Sequence, residues 1–172
     1  MSSQQIQEAV KGVIQYYTEN PHKAVSEDRP ATARVEDGLR CRAIGGVDGA
    51  ELVSDMPKGI GGGATAPTPG WLFRAALANC DATMVAMRAA ELGITLTTLE
   101  VIVSSTSDDR GLLQMDDLIP AGPLNVRVHV KLGGDGVSKE QLHELVAWTE
   151  RHSPIGDSIS RALPLKVSVE VV

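Results

Sequence analysis

Near the start of the chain, apolar residues Ile6, Val10, Val13, Ile14 and Tyr17 recur at spacings of three and four until Asn20-Pro21 stops them. This is the pattern of an amphipathic helix. It predicts an N-terminal helical arm within residues 1–30, packing outside the core or against a second subunit, ahead of a single domain over 31–172. Two short runs follow, Ala31 to Val35 and Leu39 to Ile44, separated by Glu36-Asp37-Gly38. Asp-Gly between alternating runs predicts a hairpin, and Glu51 to Asp55 adds a third strand to make a meander.

Lys58 to Pro69 is rich in Gly and Pro and reads as a loop. Helical periodicity then runs over 70–92, with Thr68 as the N-cap candidate and Gly93 as the stop. The predicted apolar stripe is Phe73, Ala76, Leu77, Cys80, Met84 and Met87, and Ala75, Ala78, Ala82, Ala86 and Ala89 leave room for close neighbours, so this central helix is expected to be buried on most sides.

Beyond Gly93 the period changes from near four to two. Leu99, Val101 and Val103 share one face of a strand, and Leu124, Val126, Val128, Val130 and Leu132 share one face of the next. Ser138 with Gln141 makes a capping-box pattern for a helix whose stripe is Leu142, Leu145, Val146, Thr149 and then Ser153, ending at Pro154. Leu165, Val167, Val169 and Val171 predict a last strand. One-sided strands belong to antiparallel sheets covered by helices on a single face, so the fold class is α+β.

Composition narrows the function. The net charge of -6 is spread along the chain and aromatics are 3% of residues, which disfavours nucleic acid and anionic membranes as partners. No apolar stretch approaches a membrane span, and Met1 to Val10 lacks the pattern of a signal peptide, so a cytoplasmic location is expected. Cys41 and Cys80 are then expected to remain thiols. Neither belongs to a Cys-x-x-Cys, and His22, His129, His143 and His152 lack the spacing of a structural zinc site, so no metal or other cofactor is expected.

Gly59-Ile60-Gly61-Gly62-Gly63-Ala64 fits a dinucleotide fingerprint in letters, but Pro57, Pro67 and Pro69 deny it the strand-turn-helix setting that motif requires. A plain loop is the better reading. Cys80 admits two readings. As a free cysteine on an apolar stripe it can be a small core hydrophobe. As a reactive thiol it needs a cation or base brought by tertiary neighbours, since it sits mid-helix; Arg34, Arg40 and Arg42 are the candidates. Cys41 reads as an inward core thiol, His129 as exposed. Ser153 falls in line with its helix's apolar stripe, so its hydroxyl points inward and needs a partner. Residues 106–123, carrying Asp108-Asp109 and Asp116-Asp117 among leucines, read as a lid or subunit contact.

Two adjoining segments, Gly61-Gly62-Gly63-Ala64-Thr65-Ala66-Pro67-Thr68-Pro69 and Leu72 to Cys80, together resemble the signature of the OsmC and organic hydroperoxide resistance family. The order of elements over Ala31 to Val172 is similar too. The resemblance implies antiparallel sheets packed on a long central helix in an intertwined homodimer. It also implies a peroxidatic thiol at Cys80 that attacks a small organic hydroperoxide, and an arginine from the N-terminal hairpin, here Arg34, that favours thiolate.

The resemblance breaks at two places. The family's resolving cysteine aligns with Ser153, and the glutamate of its hydroperoxide branch aligns with Gly70. A hydroxyl cannot form a disulfide. The resemblance therefore implies either a one-cysteine peroxidase recycled by an external thiol reductant, with Ser153 beside Cys80, or a non-catalytic dimer that binds an apolar small molecule.

Overall fold

A computed structural model describes residues 2–172. Helix α1 covers Ser3–Glu19, and strands β1 (Ala31–Asp37), β2 (Arg40–Gly45) and β3 (Ala50–Ser54) form an antiparallel meander. Helix α2 spans Pro69–Glu91, and β4 (Leu96–Thr106) pairs with β5 (Asn125–Gly134) in a second sheet. The short α3 (Asp109–Leu112) lies between these two strands in sequence; α4 (Lys139–His152) and α5 (Pro154–Ser160) follow. The class is α+β. No helix among the described residues is long and apolar enough to cross a membrane.

Several elements follow from local chemistry. Gly38 takes a positive φ of 54° in the β1–β2 turn, a conformation that costs glycine little. Thr68 Oγ1 accepts the amide of Trp71 at the start of α2, and Gly93, at φ 71°, terminates the helix by donating to Ala90 O. The capping box is complete: Ser138 Oγ accepts from Gln141 N, and Gln141 Oε1 accepts from Ser138 N.

The chain resolves into two compact units, residues 1–7, 77–103 and 126–172 in one and residues 8–76 and 104–125 in the other. In the first, Leu77, Val85, Ala89 and Ala90 of α2 and Leu145 of α4 are buried. Gln7 Nε2 ties α1 to this unit by donating to Glu91 O at 2.7 Å. In the second, the buried residues among those described are Ser54, Asp55 and Gly111.

Three expectations need correction. Residues 165–171 alternate as a strand should, yet they form none, and Leu165, Val167, Val169 and Val171 are all at least 80% exposed. A strand is stable only when a neighbouring strand takes its amides and carbonyls, and among the described residues none lies beside it. Next, the buried row of α2 is Leu77, Asp81, Val85 and Ala89, displaced from the expected stripe through Cys80, Met84 and Met87, which are only half-buried. Trp71 at its start is exposed. Finally, Pro154 does more than stop a helix: it is the first residue of α5, where its fixed φ and missing amide hydrogen are harmless.

Candidate functional site

The loop before α2 is organised by one buried carboxylate. Asp55, 2% exposed at the end of the meander, accepts from the amides of Met56, Gly63 and Thr65 and from Thr65 Oγ1 at 2.7 Å. The Thr65 amide and hydroxyl, then the other amides, hold its carboxyl down at about 2. Gly62 fits only as glycine, because a Cβ there would fall 1.9 Å from Met56 O. Sequence reading missed Asp55; an acid just ahead of a glycine-rich run was its one signal.

Where the loop enters α2, Gly70 has room for a side chain: a Cβ there would make ordinary van der Waals contact, 3.9 Å from both Arg74 Nη1 and Thr68 Oγ1. Arg74 donates to Ser105 Oγ at 3.2 Å. These residues border a cavity of about 610 Å³, whose apolar wall includes Ile60, Phe73, Leu112 and Leu113. Asp108 also borders it, but is taken by Arg110 at 2.6 Å, whose hydrogen bonds hold the Asp108 carboxyl below its ordinary value.

In the other unit the structure brings Cys80 and Ser153 together. Ser153, 1% exposed, closes α4 and opens α5. Its hydroxyl accepts the amide of Gly156 at 3.1 Å and donates to Cys80 Sγ at 3.4 Å. The amide withdraws charge from the hydroxyl oxygen, which makes the hydroxyl a better donor to sulfur. Cys80 itself is half-buried at mid-helix. Ser153 also borders a cavity of about 310 Å³ with Leu77, Asp81 and Gly156.

The three candidate arginines lie on the meander, in the unit that does not contain Cys80. Arg34 pairs with Arg42 across β1 and β2, so these two project from the same face. Arg42 is committed to Glu36 and Glu51, and Arg40 to Glu36 and Thr65 Oγ1. The Arg42 hydrogen bond foremost holds the Glu36 carboxyl below its ordinary value. Arg34 makes no ion pair among the described residues.

Both cysteines are free thiols. Cys41 is half-buried on β2, and His129 is exposed on β5. His152 stacks on Trp148 with ring centroids 4.2 Å apart, and its Nδ1 hydrogen-bonds Trp148 O. In 106–123, Leu112, Leu113, Met115 and Leu118 are exposed.

A family model described as OsmC-like protein matches residues 61–168. Among curated protein sequences none matches. Solved structures share the fold. An OsmC-like protein from Mycoplasma pneumoniae superposes with a TM-score of 0.66 at 17% identity, over 79% of this chain and 89% of its own. The organic hydroperoxide resistance protein OsmC from Legionella pneumophila gives 0.57 at 20% identity, over 78% and 90%. An organic hydroperoxide resistance protein from Elizabethkingia anophelis, crystallised with thiocyanate, gives 0.55 at 18% identity, over 78% and 89%. The family match covers more than half of the sequence and the fold agrees with it, so the chain belongs to the OsmC-like family.

Proposed function

We propose that this protein is a thiol-dependent antioxidant that reduces small organic hydroperoxides at Cys80 and is recycled by an external thiol. The observation that carries the reading is the Ser153 hydroxyl donating to Cys80 Sγ at 3.4 Å. A donor aimed at sulfur favours the thiolate, which is the nucleophile. The thiolate attacks the outer oxygen of the hydroperoxide, the O–O bond breaks, and the alkoxide leaves to take a proton as alcohol. Cys80 becomes a sulfenic acid.

Ser153 cannot condense with that acid. An external thiol therefore displaces its oxygen as water to give a mixed disulfide, and a second thiol releases Cys80 and leaves as the external disulfide. Arg34, free of ion pairs among the described residues, is the proposed cation for the thiolate, supplied within a homodimer. The exposed alternating segment Leu165 to Val171 supports a second copy as partner, since it lacks only a strand to pair with. A second reading, non-catalytic binding of an apolar small molecule, is favoured by the cavity of about 610 Å³ beside Phe73 and Arg74.

Alkylation of Cys80 across pH, together with turnover of tert-butyl hydroperoxide under dithiothreitol, separates the two. The enzyme reading expects alkylation of Cys80 at neutral pH and measurable turnover. No turnover in any thiol system, with Cys80 inert to alkylation at neutral pH, overturns it.

A further inference from the structure

Among the described residues, two buried side-chain oxygens have no hydrogen-bond partner, Asp81 Oδ1 and Thr149 Oγ1. Both residues border the same cavity of about 480 Å³ in the unit built from α2, β5 and α4. The coincidence is informative because native interiors satisfy nearly all their buried polar atoms, and an unmet carboxylate oxygen is among the costliest exceptions. Asp81 is 8% exposed and Thr149 3%, so both oxygens lie in the floor rather than at the rim.

The remaining lining states what would satisfy them. Val85, Val130, Leu142 and Val146 give the cavity apolar walls. Its charged and titratable groups are Asp81 from α2, His129 from β5, and Lys139, His143 and Glu150 from α4. Two acids face one lysine, with Lys139 and Glu150 exposed at the mouth and Asp81 alone at the base. A carboxylate accepts only, whereas a hydroxyl also donates, so the missing group is a hydrogen-bond donor. A positively charged donor is favoured by the buried negative charge.

From this we infer that the cavity is a binding site for a small organic ammonium ion with an apolar body, its nitrogen held by Asp81 and Thr149. Its volume falls in the range of small-molecule sites. The site uses no sulfur and stands whether or not Cys80 is catalytic.

Calorimetric titration of the intact protein with phenethylammonium chloride, 2-phenylethanol and sodium phenylacetate tests it, the three sharing one apolar body. Binding is expected to fall in that order. Asp81→Asn is expected to weaken the ammonium at least about tenfold and bring it level with the alcohol. Lys139→Gln, an exposed change, should tighten the ammonium about twofold by removing like charge at the mouth. Should Asp81→Asn fail to fold, Thr149→Val carries the test, with a several-fold loss expected. The inference is overturned if the three probes bind equally, if the variant that folds binds phenethylammonium as tightly as the unmodified protein, or if phenethylammonium shows no binding at about 1 mM, which would leave the cavity to water.

Discussion

Ser153 Oγ, at the joint of α4 and α5, donates to Cys80 Sγ in the middle of α2, and that joint is thereby linked to α2 through a sulfur atom. The same hydroxyl caps α5 through Gly156 N, so one side chain serves both the fold and the thiol. Replacing it separates these roles. Ser153→Ala should cost about 1 kcal/mol of stability as a lost cap, and should slow alkylation of Cys80 at neutral pH. Alkylation at the original rate would show that the hydroxyl does not tune the sulfur.

Ser153→Cys should restore a resolving thiol. With the Ser153 oxygen already 3.4 Å from Cys80 Sγ, peroxide treatment is expected to close a disulfide between Cys80 and the introduced thiol, leaving Cys41 as the remaining free thiol. Thiol counting before and after oxidation reads the result, and an unchanged count counts against the alignment of this position with the family's second cysteine.

The arginines should respond differently to removal. Arg40 is shared between Glu36 and Thr65 in a partly exposed network, so Arg40→Ala should leave hydroperoxide turnover near its starting value. Arg34→Ala should lower it by at least about tenfold if its guanidinium holds the thiolate. Equal effects from the two variants would remove Arg34 from the proposal.

Asp55 confers an acid-side pH dependence. Its carboxyl, held at about 2 by the Thr65 amide first, binds protons less readily in the fold than in the unfolded chain. The stabilisation is complete above the unfolded value of about 3.9 and is lost as pH falls from there towards about 2. Thermal midpoints should therefore drop over that window, and less steeply in Asp55→Asn, where Glu36 and Asp108 still contribute. Parallel profiles would contradict this role.

Two glycines, one within the loop before α2 and one just past it, should behave oppositely. Gly62→Ala drives a Cβ into Met56 O and should cost about 1–3 kcal/mol. Gly70→Glu meets nothing closer than ordinary van der Waals contact in the first turn of α2, with Arg74 one turn on, and should stabilise by about 0.5–1 kcal/mol. Denaturant midpoints measured side by side check both signs.

The features legible in the sequence are those whose causes are local. Asp37-Gly38, Thr68, Gly93 and the Ser138–Gln141 pair each act within a few residues, and each sits where its chemistry predicts. The alternation of Leu165 to Val171 says which residues would share a face but not whether a neighbouring strand exists to receive them. On α2, periodicity alone put Cys80 in the apolar stripe, while packing buries the row through Asp81, because a helix with alanines around much of its circumference offers several faces of similar size. Asp55 escaped notice since its partners are backbone amides, which carry no letter in the sequence.

The uncovered run from Leu165 to Val171 bears on how the proposed homodimer would behave. A segment with every valine in water and, among the described residues, no strand beside it is open to proteases while alone, and is protected once another polypeptide lies along it. If a second copy supplies that cover, as proposed, resistance to digestion should rise with protein concentration. Dilution would act on this protein as a mild denaturant.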